Sequence, residues 1–207
     1  MNITHIKDSE IKITDNPLQG IFQRQAELHE RYKGIEEANG LGLALVKNRS
    51  FSLDDPKWQY IIKDFAWRIT EEIAEAIEAQ DHGNDLHVIE ELIDALHFYT
   101  ELLIMCKIPY QDISDEYFSH PNLPLYWMSV YHLGIACNFL KCKPWKNTHV
   151  ITDTERFRNA LKEGYVILLS IIMETTVNGK KIATLENIYM IYFKKSLVNQ
   201  FRIDSNY

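Results

Sequence analysis

The chain has 207 residues, 46% of them hydrophobic and 12% aromatic, which excludes a disordered polymer and suits one globular domain with a real core. Its 29 acidic against 22 basic side chains give a formal charge of -7, so neither nucleic acid nor a membrane is an expected partner, and any phosphate ligand needs a cation beside it. Three scattered cysteines (Cys106, Cys137, Cys142) and an apolar run at 165–173 far too short to span a bilayer point to a reducing, cytoplasmic setting.

A polar leader, residues 1–16, lacks the apolar core of a signal peptide. Asn16 and Pro17 then read as cap and first position of a helix over about 17–33. The stretch GIEEANGLGLALVKNRS holds three glycines and reads as an irregular connection. Asp55 and Pro56 open a second helix ending near Gln80, and QDHGND turns the chain into a third over about 85–106. Prolines and polar caps make residues 108–124 a loop with a short helical turn. A fourth helix follows Pro124 and cannot pass Pro144. Asp153 or Thr154 caps a fifth, to about Thr176, and Thr184 opens a sixth, to about Arg202. No convincing alternating strand or glycine-rich phosphate loop is visible, so the expected class is all-α: a single domain, 1–207, built as a bundle of about six helices.

The chemistry concentrates in TEEIAEAIEAQDHGNDLHVIEELIDALHF, residues 70–98. At about 100° per residue, Glu72 projects with Phe65, Ala76 and Ala79 on the buried stripe, Glu75 lies about 60° to one side, and Glu71 and Glu78 fall toward solvent. On the next helix Glu91 points with Ala95, Phe98 and Leu102, and Asp94 lies beside Glu101. Glu72 and Asp94 are equally far from Gly83 along the chain, as are Glu75 and Glu91, so an antiparallel hairpin brings the two acid pairs level. One ExxE alone is usually a solvated face; two inside apolar stripes and symmetric about one turn are not. Four carboxylates so placed repel and would lose their charge on burial unless a cation sat between them. Hard divalent ions with oxygen ligands fit, two Mg²⁺ or more, and the implied chemistry is metal-assisted attack of water on a phosphate chain.

These residues resemble the all-α nucleotide pyrophosphatases, whose signature is EExxE and then ExxD on the following helix, here EEIAE at 71–75 and ELID at 91–94. Three more stretches are similar to the dimeric dUTPase branch, including its phage-type dCTPase-dUTPase relatives: DALHF at 94–98, ACNFLKCKPWK at 136–146, and a K-x3-N-x2-R-x4-Y spacing at Lys195, Asn199, Arg202 and Tyr207. With QAELH at 25–29, the likeness covers roughly residues 18–207. It implies that Glu72, Glu75, Glu91 and Asp94 ligate Mg²⁺, with Glu75 the base for the attacking water. Lys195 and Arg202 would hold phosphate oxygens, Asn199 and Tyr207 the sugar or phosphates, and Gln25 and His97 would help read the base. The implied reaction is dUTP to dUMP and pyrophosphate, in a homodimer, controlling the dUTP pool.

Two departures bear on the base: the family's Trp- and Lys-rich insertion between the acid helices is absent, and position 29 is His where Asn or a similar polar residue is common. dCTP is accordingly the leading second substrate, beside a broader MazG-like pyrimidine pyrophosphatase. The non-enzyme alternative is a helical interaction module using its acidic hairpin as a binding face. Residue physics alone would let Lys195 and Arg202 serve a helix C-terminus, and would make Trp67 and Trp145 core or interface packing.

Overall fold

Short polar side chains start five of the helices by accepting a backbone N–H of the first turn: Asn16 from Gln19, Asp55 from Lys57, Asn84 from His87, Asp153 from Arg156 and Thr184 from Asn187. The computed structural model describes residues 3–11, 14–113, 126–143, 145, 147 and 153–205. Its main helices are α1 (Pro17–Asn39), α2 (Pro56–Asp81), α3 (Asp85–Met105), α4 (Tyr126–Phe139), α5 (Thr154–Glu174) and α6 (Leu185–Asp204), so the all-α class holds. The expected helical turn after residue 108 is a 3-10 turn at Tyr110–Asp112; residues 114–125 lie outside the described set.

Two local expectations are corrected. The first helix continues through Gly34 to Asn39. Glycine inside a helix costs about 1 kcal/mol, but Glu36, two residues on, pairs with Arg68 of α2 at 2.7 Å and accepts the Leu43 N–H at 2.7 Å. That anchoring holds the last turns until Gly40, at φ 71°, ends them. The chain also forms a small antiparallel hairpin, β1 (Thr176–Val177) and β2 (Lys180–Lys181), turning on Asn178 and Gly179 at φ 51° and 75°. Asn-Gly is the favoured dipeptide of such a turn, so the signal was in the sequence, and the paired segments were simply too short to alternate.

α3 is the central helix, because 14 of its 21 residues are buried. It runs antiparallel to α2 through the turn at Gly83 and also packs on α1, α5 and α6, while α4 lies on α5. Small side chains let α2 and α3 approach: Ala76 and Ala95 are fully buried, among Phe65, Ile69, Leu92 and Leu96. Trp67 and Trp145 are not core residues, being 63% and 76% exposed. Among the described residues no helix is long and apolar enough to cross a membrane.

Gly164 of α5 lies against Tyr99 of α3 and His132 of α4, since a Cβ there would collide with the Tyr99 hydroxyl and crowd His132. Gly164→Ala gains about 1 kcal/mol of helix propensity but overpacks a buried contact, at about 1–3 kcal/mol. A net loss of stability is expected, read as a lower Tm; a Tm at or above wild type would show that the Tyr99 ring yields freely.

Candidate active site

The α2–α3 pairing sets carboxylates from both helices side by side. One oxygen each of Glu72, Glu91 and Asp94 lies within 4.8 Å of the others. Burial, followed by the charge of Asp94 and the hydrogen bond and charge of Glu91, pushes the Glu72 carboxyl up to about 8, and Glu75 adds to the push. Glu91 is raised chiefly by burial, while its hydrogen bond to Glu72 acts the other way. His87, one turn before it, reaches Glu91 at 2.9 Å. Such a set gains from a cation: the donors are hard oxygens, they come from two rigid helices, and their own repulsion is what a divalent ion would relieve.

Glu75 is corrected as an inward residue: it is exposed, outside that three-carboxylate group and at its rim, where its charge still reaches Glu72. Asp94 is half-buried, and burial raises its carboxyl against the pull of Lys195, whose ammonium lies 2.8 Å away. Asn199 hydrogen-bonds the same carboxylate and Arg202 adds positive charge from the exposed last turn of α6. The Lys195, Asn199 and Arg202 spacing thus converges on Asp94 because these residues recur at i, i+4 and i+7 on one face of α6. Tyr207 lies outside the described residues.

Asp94 and Glu72 form one side of a cleft of about 190 Å³ that also touches Gln25, His97, Phe98, Glu101 and Tyr32. Gln25 and His97 are both buried, at 1% and 5% exposed. Gln25 Nε2 donates to Glu101 at 3.0 Å, and its Oε1 meets the Tyr192 hydroxyl at 2.6 Å and His97 Nδ1 at 2.8 Å. The His97 ring stacks on Tyr192 at 3.9 Å, and its Nε2 is buried with no partner. Burial, aided by Lys195 and Arg24, drives His97 down to about 3, so the imidazole is neutral. Tyr32 is pushed up to about 12, by burial and then by Asp94 and Glu101, and keeps its proton. Sequence reasoning assigned no role to Glu101, Tyr32 or Tyr192. The available signal was Glu101 itself, an acid inside an apolar run of α3.

His29 joins Glu101 at 2.8 Å. Burial lowers its pKa, but the hydrogen bond and charge of Glu101, with Glu30 adding and Lys33 opposing, leave it raised. A raised histidine contributes stability that is present in full below its unfolded value of about 6.5 and is lost as pH rises through the folded value. Wild type should therefore exceed His29→Gln in urea-unfolding stability by more at pH 5.5 than at pH 9. An equal margin at both values would contradict the ion pair.

A family model described as dUTPase matches residues 72–207, more than half of the chain, beginning at the first acid of the cluster and leaving α1 with Gln25 and His29 outside it. No curated protein and no solved structure matches the chain. The match takes in the C-terminal part of α2 from Glu72, all of α3 and the Lys195, Asn199 and Arg202 spacing, on a mainly helical scaffold that places them together. The chain therefore belongs to the dimeric all-α dUTPase family and is a dUTP diphosphatase, hydrolysing dUTP to dUMP and pyrophosphate.

Proposed function

We propose that dUTP lies along the cleft with its phosphates toward Glu72, Glu91 and Asp94 and its base toward Gln25 and His97, and that Mg²⁺, two or more ions, is the cofactor. The single observation that carries this reading is that one cleft joins the three-carboxylate group to a buried, uncharged glutamine–histidine pair. Glu72, Glu91 and Asp94 would hold the metal, with Glu75 completing the set from the rim. When bound, Mg²⁺ supplies charge neutralisation for the phosphate chain and a more acidic water.

The chain's own residues do the rest. Glu75, exposed and free of the buried cluster, takes the proton from the attacking water. Its exposure supports that role, because a rim carboxylate is open to the solvent that supplies the attacking water. Lys195 and Arg202 hold phosphate oxygens, Arg202 by a planar fork suited to them, and Asn199 and Tyr207 contact the sugar or phosphates. Catalysis is positioning and charge neutralisation, with no covalent intermediate. A homodimer is supported by exposed aromatics: Tyr60 and Trp67, two turns apart on α2, and Trp127 and Tyr131 on α4 are each at least half exposed.

Glu75→Gln should abolish pyrophosphate release from dUTP while the protein stays folded; turnover at the wild-type rate would remove Glu75 from the mechanism. Run beside it with wild type, a panel of dUTP, dCTP, dTTP and UTP at equal concentration should show dUTP as the best substrate. Equal rates on dUTP and dCTP would favour the dual-specificity reading, and silence on all four the interaction module. Mg²⁺ should also raise the Tm relative to EDTA, by about 2.7 kcal/mol of stabilisation at a hundredfold excess over Kd. An unchanged Tm would count against the shared metal site.

A further inference from the structure

Glu101 is a carboxylate 3% exposed on α3, outside the three-acid cluster, and the chemistry above gives it no role. Its surroundings force a chain of hydrogen-bond identities. A carboxylate only accepts, so the atom of Gln25 that faces it must be the amide nitrogen, at 3.0 Å. The amide oxygen then lies on the opposite side, against the Tyr192 hydroxyl and His97 Nδ1. That oxygen also only accepts, so Nδ1 must carry the hydrogen, and on a neutral imidazole Nε2 keeps its lone pair. Nε2 is the buried, unpartnered atom of a residue that lines the cleft. His29 holds the second oxygen of Glu101 at 2.8 Å and so fixes the carboxylate itself. The unusual histidine at position 29 and the buried acid at 101 are thus one device.

We propose that Glu101 is a positioning residue that, through Gln25, holds His97 in its Nδ1–H form and thereby makes the pocket select uracil over cytosine. The proposal rests on the reading that the base occupies this cleft. The pocket then offers one acceptor, His97 Nε2, and one donor, the second amide hydrogen of Gln25. Uracil answers with an N3–H donor and a carbonyl acceptor. Cytosine presents the reverse, an N3 lone pair and an amino group, so both contacts would set like against like. Unmatched polar groups in a buried site are what give strong discrimination.

In Glu101→Gln the new amide can offer Gln25 either its oxygen or its nitrogen. Gln25 is then free to turn over, and His97 to move its hydrogen to Nε2. Two quantities are read on the full chain: the dUTP-to-dCTP ratio of kcat/KM, and the nitrogen NMR spectrum of histidine-labelled protein, which reports which ring nitrogen is protonated. Wild type should show His97 with a bare Nε2; the variant should show Nε2 protonated in part or whole and a ratio lower by at least about tenfold. A protonated Nε2 in wild type overturns the proposal, and so does a variant in which either quantity changes without the other, or neither does. Gln25→Leu cuts the relay while leaving Glu101 with His29, and serves if Glu101→Gln does not fold: its His97 spectrum must change in the same sense, and an unchanged one overturns the lock. Inactivity of wild type on both nucleotides would instead strike the proposed function, with the spectrum still deciding the lock.

Discussion

The antiparallel contact of α2 with α3 is the constraint on which the rest of this structure depends. Ala76 and Ala95, with no measurable exposure, let the two helices close, and the apolar side chains around them bury the seam. That apolar contact overcomes the repulsion it creates, since the same closure drives Glu72, Glu91 and Asp94 to within 4.8 Å of one another. Burial raises all three carboxyls, and the charge of neighbouring carboxylates adds to it at Glu72 and Glu91, so the hydrophobic effect here is used to hold acids where they would not gather by themselves. A phosphate-cleaving site gains from such a place: negative, rigid and lined by hard oxygen donors.

Around this seam the other helices supply compensation of two kinds. From α6 come formal charges, Lys195 and Arg202, set against Asp94. From α1 comes a neutral amide, Gln25, whose orientation is dictated by Glu101 and passed to His97 and Tyr192. The cleft therefore has an ionic end at the carboxylate cluster and a second end of paired hydrogen-bonding groups around Gln25, His97 and Glu101. A nucleotide has the same polarity, with charge in its phosphates and directional polar groups in its base. At the second end each buried polar group needs its partner.

Much of the scaffold was legible. Asn16, Asp55, Asn84, Asp153 and Thr184 mark helix starts through chemistry confined to one turn, and all five caps form. The end of α1 is not legible locally, because what holds Glu36 is Arg68, on another helix. The small hairpin shows its turn dipeptide, Asn178 and Gly179, but its two-residue strands are too short to alternate. In the site, periodicity placed Glu72, Glu91 and Asp94 together correctly, since rotation about a helix axis is fixed by residue count. It misjudged Glu75: an offset of about 60° from the stripe centre can fall on either side of the solvent boundary, and the neighbouring helices draw that boundary.

By itself, then, the sequence determined the all-α class, the phase of the two acid helices and the motifs that carry dUTP diphosphatase membership, because each depends on spacing within one helix or across one short turn. Only the tertiary structure decided which polar groups would meet. Gln25 and Glu101 are 76 residues apart, and Tyr192 and Gln25 167. No local rule links such positions, and only the packing of α1 and α6 on α3 brings them within hydrogen-bonding distance. Hydrogen bonds are short-ranged and directional, so the identity of a buried donor or acceptor is fixed by its neighbours in space. That is why the reaction could be read from the order of residues, whereas the hydrogen-bond partners of Gln25 and His97 emerged only from the fold.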